Sequence, residues 1–162
     1  MKLQSFPLCC LLLLAAPCHA GVPADLPGPP KLHLVLDRVY DTFLIGPQKG
    51  KPDSGFRVYM FNPADGQSSA TFGWGEGGHP NTEQSVAQMY EGAKISNKPG
   101  MVSGTSVTWW SWKDSHHLYR SCDTHLKSAE GTTYTVSIFL VANSNERLDA
   151  LEAAFSGLTL RD

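Results

Sequence analysis

The stretch TTYTVSIFLVA, residues 132–142, decides the fold because it carries the strongest β-strand pattern in the chain. Tyr134, Val136, Ile138, Leu140 and Ala142 occupy alternate positions, and alternate positions of a strand face the same side of a sheet. A phenylalanine and a valine add apolar side chains to the opposite side. Strands that are apolar on both sides are typical of the covered centre of a sheet. We therefore predict a central strand here.

Four further segments are predicted to form strands in two hairpins. FRVYMF (residues 56–61) and SSATFGW (68–74) flank NPADGQ, whose proline and Asp-Gly pair suit a turn. TSVTWWSW (105–112) and HLYRSCDTHLK (117–127) flank the short segment KDSH. Strands joined by such short connections are antiparallel.

Two segments predict helices packed on this sheet. In residues 81–94, Asn81 and Gln84 resemble a capping box, and apolar residues follow at helical spacing. In residues 143–158, Asn143 and Glu146 form the same pattern, and Gly157 suits a helix end. The apolar stripe of this helix is expected to comprise Leu148, Leu151, Phe155 and Leu158. Residues 31–46, KLHLVLDRVYDTFLIG, fit both a strand and a longer helical stripe, and the pattern leaves the two alternatives open.

The N-terminus resembles a secretory signal peptide over residues 1–20, with a lysine, an apolar run and a cleavage-site-like Cys18-His19-Ala20. A Pro-rich lead, residues 21–30, is expected to be extended and poorly ordered, and residues 31–162 form a single domain. We therefore expect a periplasmic or secreted protein with no membrane insertion after cleavage. Cys122 is the one cysteine that remains, and a small buried hydrophobic role suits it best.

The order strand, strand, helix, three strands and helix predicts an α+β domain, a mostly antiparallel sheet with helices packed on it. The segments SSATFGW…TEQSVAQMYEGAK and TYTVSIFLVANSNERLDALEAAF follow an order that resembles the Mog1/PsbP/DcrB-like sandwich family over roughly residues 56–158. The resemblance implies a sandwich fold and a non-enzymatic binding, assembly or chaperone role. It transfers no functional residue.

The histidines and cysteine of VTWWSWKDSHHLYRSC (107–122) suggest a metal or catalytic site, but strand geometry separates them. His117 and His125 would lie about 26 Å apart along a straight strand, whereas zinc ligands converge within about 2.3 Å of the ion. Ser121 and His125 would lie about 13 Å apart, too far for a nucleophile and its base. The Gly-rich run at residues 73–82 lacks a P-loop lysine. We expect no catalytic residue, metal or cofactor.

The hairpin is predicted to present a binding surface. With Asp114 and Ser115 at the centre of the turn, Trp112 would pair with His117 and Trp110 with Tyr119. The face that carries Trp109 is the more apolar and is expected to be buried. The Trp110 row then faces a partner, unless a helix covers it, and both alternatives stay open.

These observations predict an exported non-enzymatic protein-binding domain, such as an inhibitor or immunity-type protein acting on a cell-envelope enzyme. The alternatives are a periplasmic small-ligand carrier or assembly module, and a hydrolase with a site assembled from distant Cys, His and carboxylate residues. A formal charge of −2 without a basic patch indicates a protein partner rather than nucleic acid. The candidate binding residues, from the hairpin and the Gly-rich run, are Trp74, Glu76, His79, Trp110, Trp112, Asp114, His116, His117 and Tyr119.

Overall fold

A computed structural model describes residues 21–26, 31–45, 57–75, 87–88 and 92–161. Strands make up 61% of these residues and helix 13%. The strands are β1 (Val22–Leu26), β2 (Lys31–Leu36), β3 (Asp41–Ile45), β4 (Arg57–Asn62), β5 (Ser68–Gly75), β6 (Ser96–Val102), β7 (Thr105–Lys113), β8 (Leu118–Lys127), β9 (Thr133–Ala142) and β10 (Thr159–Arg161). Helix α1 spans Asn145–Ser156. No helix of the described ranges is long and apolar enough to cross a bilayer.

The strands form two antiparallel sheets. The larger sheet has the order β3-β4-β5-β9-β8-β7-β6, and the smaller has the order β1-β2-β10. The predicted central position of β9 is confirmed, since it pairs with β5 on one side and β8 on the other. Helix α1 packs on β9, β8, β5 and β6 and also contacts β2 of the smaller sheet.

The predicted α+β class is wrong, because the described chain is mostly β with a single complete helix. Residues 31–45 show why. Leu32, Leu34 and Leu36 are buried at 1%, 0% and 3% exposure, as a strand with one covered face requires. Val39 and Phe43, which belong to the alternative helical stripe, are 72% and 56% exposed. The two-residue period therefore prevails over the 3.6-residue period in this segment.

Strands also form in two segments whose composition is not typical of a strand. Residues 96–102 contain a proline and a glycine, yet β6 pairs with β7 along its whole length. Its place at the edge of the sheet explains this, because a proline there removes no hydrogen bond from an inner ladder. Val22–Leu26, within the expected poorly ordered lead, pairs with β2 as β1. Strand pairing thus outweighs local composition in both segments.

Helix α1 follows β9 closely and differs from its prediction only at its start. Ser144 is the N-cap, and its side chain accepts a hydrogen bond from the amide of Arg147, so the cap lies one residue after Asn143. The predicted end at Gly157 and the buried stripe of Leu148, Leu151 and Phe155 are confirmed. The helix predicted for residues 81–94 lies largely outside the described residues, of which 87 and 88 are helical.

Trp109 packs against β6 on the inner face of the larger sheet, which is the face that α1 covers. This side chain is fully buried, and its ring lies against the backbone of Gly100. A Cβ atom on Gly100 would stand 2.5 Å from Cδ1 of Trp109. A buried indole has no room to give way, so the close approach requires glycine.

We expect Gly100→Ala to lower the free energy of unfolding by about 1–3 kcal/mol through overpacking, measured by urea denaturation. Gly157→Ala is the matched control. Its Cβ would meet backbone oxygens at 3.6 Å, an ordinary contact, and its φ of −84° suits any residue. Equal stability of the two variants would contradict the packing of Trp109 on Gly100.

Candidate functional site

The β7–β8 hairpin has a register that differs from the prediction by two residues. Trp112 pairs with Tyr119, and Trp110 pairs with Ser121. The predicted partners were His117 and Tyr119, respectively. The turn comprises four residues, 114–117, rather than two. A slip of two keeps every side chain on its predicted face, and Trp109 lies on the buried inner face as expected.

Asp114 holds this turn together. Its Oδ1 accepts hydrogen bonds from the amides of His116 and His117, both at 2.7 Å. Its Oδ2 accepts a hydrogen bond of 2.6 Å from the hydroxyl of Tyr119, and its amide donates to the carbonyl of His117 at 3.1 Å. A short carboxylate side chain that bonds nearby amides is the usual reason for aspartate in a turn. The imidazole rings of both histidines remain exposed at the tip of the hairpin, residues 114–117.

These bonds favour the ionised form of Asp114. The hydrogen bond from Tyr119, followed by those from the amides of His116 and His117, lowers the pKa of the Asp114 carboxyl to about 2. Bonds to a carboxylate are lost or weakened on protonation, which is why they lower its pKa. The tip is therefore held in one geometry throughout the neutral and mildly acidic range.

The aromatic row on the outer face of the hairpin is a support for this tip. Trp112 stacks on Tyr119 with ring centroids 5.5 Å apart and planes at 9°. Phe139 lies beside both rings, at 5.8 and 6.0 Å. Trp112 is only 5% exposed, and Trp110 is half-buried. This row, for which the sequence left a partner-facing and a covered position open, thus holds Tyr119 in place more than it offers contact area.

The Gly-rich run contributes little described surface. Trp74 lies in β5 and is 1% exposed, with its ring stacked on Tyr59 at 4.8 Å. It is a core residue, because β5 turns its position toward the inner face of the sheet. Glu76 and His79, which were also predicted to bind, lie outside the described residues. The predicted site residues that the structure brings together are those of the hairpin.

An ion-pair cluster between sheet and helix escaped the sequence analysis. Arg120 is 8% exposed on the inner face of β8. Its Nη1 donates to Oδ1 of Asp149 at 2.8 Å and to Oε2 of Glu152, both on α1. Glu152 also pairs with Nζ of Lys98 at 2.9 Å. The signal was present in two acidic residues three apart beside the apolar stripe of α1, but their partner lies 29 and 32 residues away.

Cys122 is poorly suited to act as a nucleophile. The thiol is 1% exposed on the inner face, and burial, with smaller effects of the negative charges of Asp123 and Glu152, raises its pKa far above the usual value. A nucleophilic cysteine requires the thiolate form. In the described ranges, no three His, Cys, Asp or Glu side chains are grouped so that they would hold a metal ion.

Comparison of the chain with protein-family models, with curated proteins and with solved structures finds no significant match in any of the three. The resemblance to the Mog1/PsbP/DcrB-like family therefore stays a prediction based on the order of elements.

The pKa of Asp114 makes the tip sensitive to strong acid. The folded-state pKa of about 2 lies below the ordinary 3.8. The hydrogen bonds that Asp114 accepts therefore stabilise the native tip fully above about pH 4, and this stabilisation is lost as the pH falls through about 2. We expect the amide resonances of His116 and His117 to shift with that midpoint in NMR spectra. Asp114→Asn, the control, should lack the transition. A midpoint near 3.8 would show that the hydrogen bonds to the Asp114 carboxylate are absent.

We expect Cys122 to resist alkylation in the folded protein. At about pH 8 an accessible thiol reacts readily, whereas the burial and raised pKa of Cys122 should leave it unmodified by iodoacetamide until guanidinium chloride unfolds the chain. Mass spectrometry of the peptide that contains Cys122 measures the modified fraction. Rapid native alkylation would contradict its buried position.

Proposed function

We propose that this protein is an exported, non-enzymatic binding domain that recognises another protein through the tip of the β7–β8 hairpin. The tip is defined by residues 114–117. The observation that carries the proposal is the set of hydrogen bonds by which Asp114 fixes this exposed turn. An inhibitor or immunity-type protein of the periplasm is one concrete form of such a function.

A fixed turn favours binding because it loses little conformational freedom when a partner docks. Ordering a flexible side chain or loop costs about 0.5–1.5 kcal/mol per immobilised side chain. In this hairpin Asp114 and the Trp112–Tyr119 stack have already ordered the backbone. The two exposed histidines then offer ring faces and hydrogen-bonding nitrogens to a partner.

The tip is too small for a stable interface by itself, since a standard interface covers about 800 Å² on each partner. The β4–β5 turn extends the surface at the same end of the sheet. A shallow cavity of about 260 Å³ separates this turn from the tip, and it is lined by Asn62, Pro63, Gly66, Gln67, Ser68, Ser69, His117 and Val141. A protein that covers both turns would fill this cavity with a side chain.

The proposal is tested with a photo-crosslinking residue placed at position 116, in cells that express the tagged protein. We expect one discrete crosslinked protein, with loss of at least about tenfold in its affinity for the purified domain when His116 and His117 are both replaced by alanine. Because both side chains are exposed, the double variant should keep the melting temperature of the parent protein.

The matched control lies at the opposite end of β8. Lys127 and Glu130 are exposed beside the β8–β9 turn, and their double alanine variant should bind the partner as the parent does. A crosslinker at position 130 should not capture the same protein. Binding that survives the histidine substitutions, or that is lost equally in the control, would refute recognition through the tip.

A further inference from the structure

A separate cleft lies on the inner side of the hairpin, between the hairpin and the N-terminal half of α1. Its volume of about 360 Å³ is within the range of small-molecule sites, about 300–1,000 Å³. The described residues that line it are Lys94, Ser96, Ser111, Trp112, Lys113, Leu118, Tyr119, Arg120, Asn145 and Leu148. The tip histidines are not among them, so this cleft is distinct from the proposed protein-binding surface.

The lining of the cleft is cationic. Lys94, Lys113 and Arg120 contribute three positive charges, and no aspartate or glutamate stands among the described lining residues. Neither lysine makes an ion pair within the part of the chain that the structure describes. Two uncompensated lysines at one concave site attract an anion, because a cleft with low-dielectric walls focuses their field.

Arg120 provides a buried donor in the wall of the cleft. Its Nη1 is engaged by Asp149 and Glu152, but its Nε is buried and has no hydrogen-bond partner among the residues that the structure describes. A buried N–H group without an acceptor is unfavourable and is uncommon in folded proteins. An oxyanion bound in the cleft would supply acceptors for a guanidinium that is already held in place by its two carboxylate partners.

The acidic residues of α1 do not cancel the charge of the two lysines. Asp149 and Glu152 together balance Arg120 and Lys98, with which they form their ion pairs. The excess positive charge of the region therefore belongs to Lys94 and Lys113. A bound monoanion or dianion would neutralise it.

The remaining wall is apolar and favours an organic ligand over a bare inorganic ion. Leu118 and Leu148 line the cleft on the same side as Arg120. Apolar walls with a few placed polar groups are usual for sites that bind small organic molecules. We propose that this cleft binds a small organic oxyanion, a carboxylate or phosphate group on an apolar body, with Lys94, Lys113 and Arg120 around the charged group.

The test is isothermal titration calorimetry on the mature chain with three probes. They are 2-naphthoate, its neutral analogue 2-naphthalenemethanol, and inorganic phosphate. We expect 2-naphthoate to bind and to shift the methyl resonances of Leu118 and Leu148 in NMR spectra, and we expect each of the other two to bind at least about tenfold more weakly. A naphthyl phosphate arm distinguishes the two oxyanions by their relative affinities.

Substitutions locate the binding. Lys94→Gln and Lys113→Gln should each weaken 2-naphthoate about two- to tenfold, while Lys31→Gln and Lys127→Gln, which remove equal charges elsewhere on the surface, should leave it unchanged. Equal binding of the neutral alcohol, equal effects of all four substitutions, or no binding of any probe would each overturn the proposal. The histidine variants of the tip should bind 2-naphthoate normally, so the two proposals fail independently.

Discussion

The packing of α1 on the inner face of the larger sheet is the interaction on which the rest of the structure depends. The helix starts directly after β9, and its buried side chains meet the aromatic core, where Phe155 lies 5.7 Å from Phe61 and 5.9 Å from Phe72. It also contacts β2, and the chain continues through Leu158 into β10, which pairs with β2. The helix therefore joins the two sheets, and its length determines where the smaller one attaches. Its C-terminal carbonyl at Ser156 accepts a bond from the β6–β7 turn, which ties down the far edge as well.

This packing divides the inner face into two chemically different halves. Over β4, β5 and β9, the helix buries aromatic and aliphatic side chains in close contact. Over β8 and β6, it places Asp149 and Glu152 against Arg120 and Lys98. Arg120 and Glu152 form the largely buried pair of this cluster, and removing one of them would leave an uncompensated charge, which makes such a pair costly to break even when it contributes little net stability. The cleft lies in the polar half, where Arg120 and Ser96 line it.

The sequence predicted the features that depend on the local alternation of apolar and polar residues. It failed for features that depend on contacts between residues far apart in the chain. The two faces of β9 and of the hairpin follow from the period of two, and the apolar stripe of α1 follows from its period of 3.6. The register of the hairpin depends on the turn, where the carboxylate of Asp114 stabilises four residues instead of two. Strand β6 exists because β7 and the ring of Trp109 cover a segment whose own composition favours a loop. Arg120 pairs with Asp149 and Glu152 only because the fold packs α1 over β8.

The proposed tip and cleft are built on the same two strands, which constrains how each can work. Tyr119 bonds to Asp114 through its hydroxyl and stacks on Trp112 through its ring on the outer face of the hairpin, whereas Leu118 and Arg120 line the cleft on the inner face. A ligand in the cleft would contact the strands from the side opposite the stack that holds the turn, and any coupling between the two sites would be reciprocal. Since Asp114 and the Trp112–Tyr119 stack already fix the turn, there is little disorder for a ligand to remove. The geometry thus favours two sites that bind independently over a switch in which one creates the other.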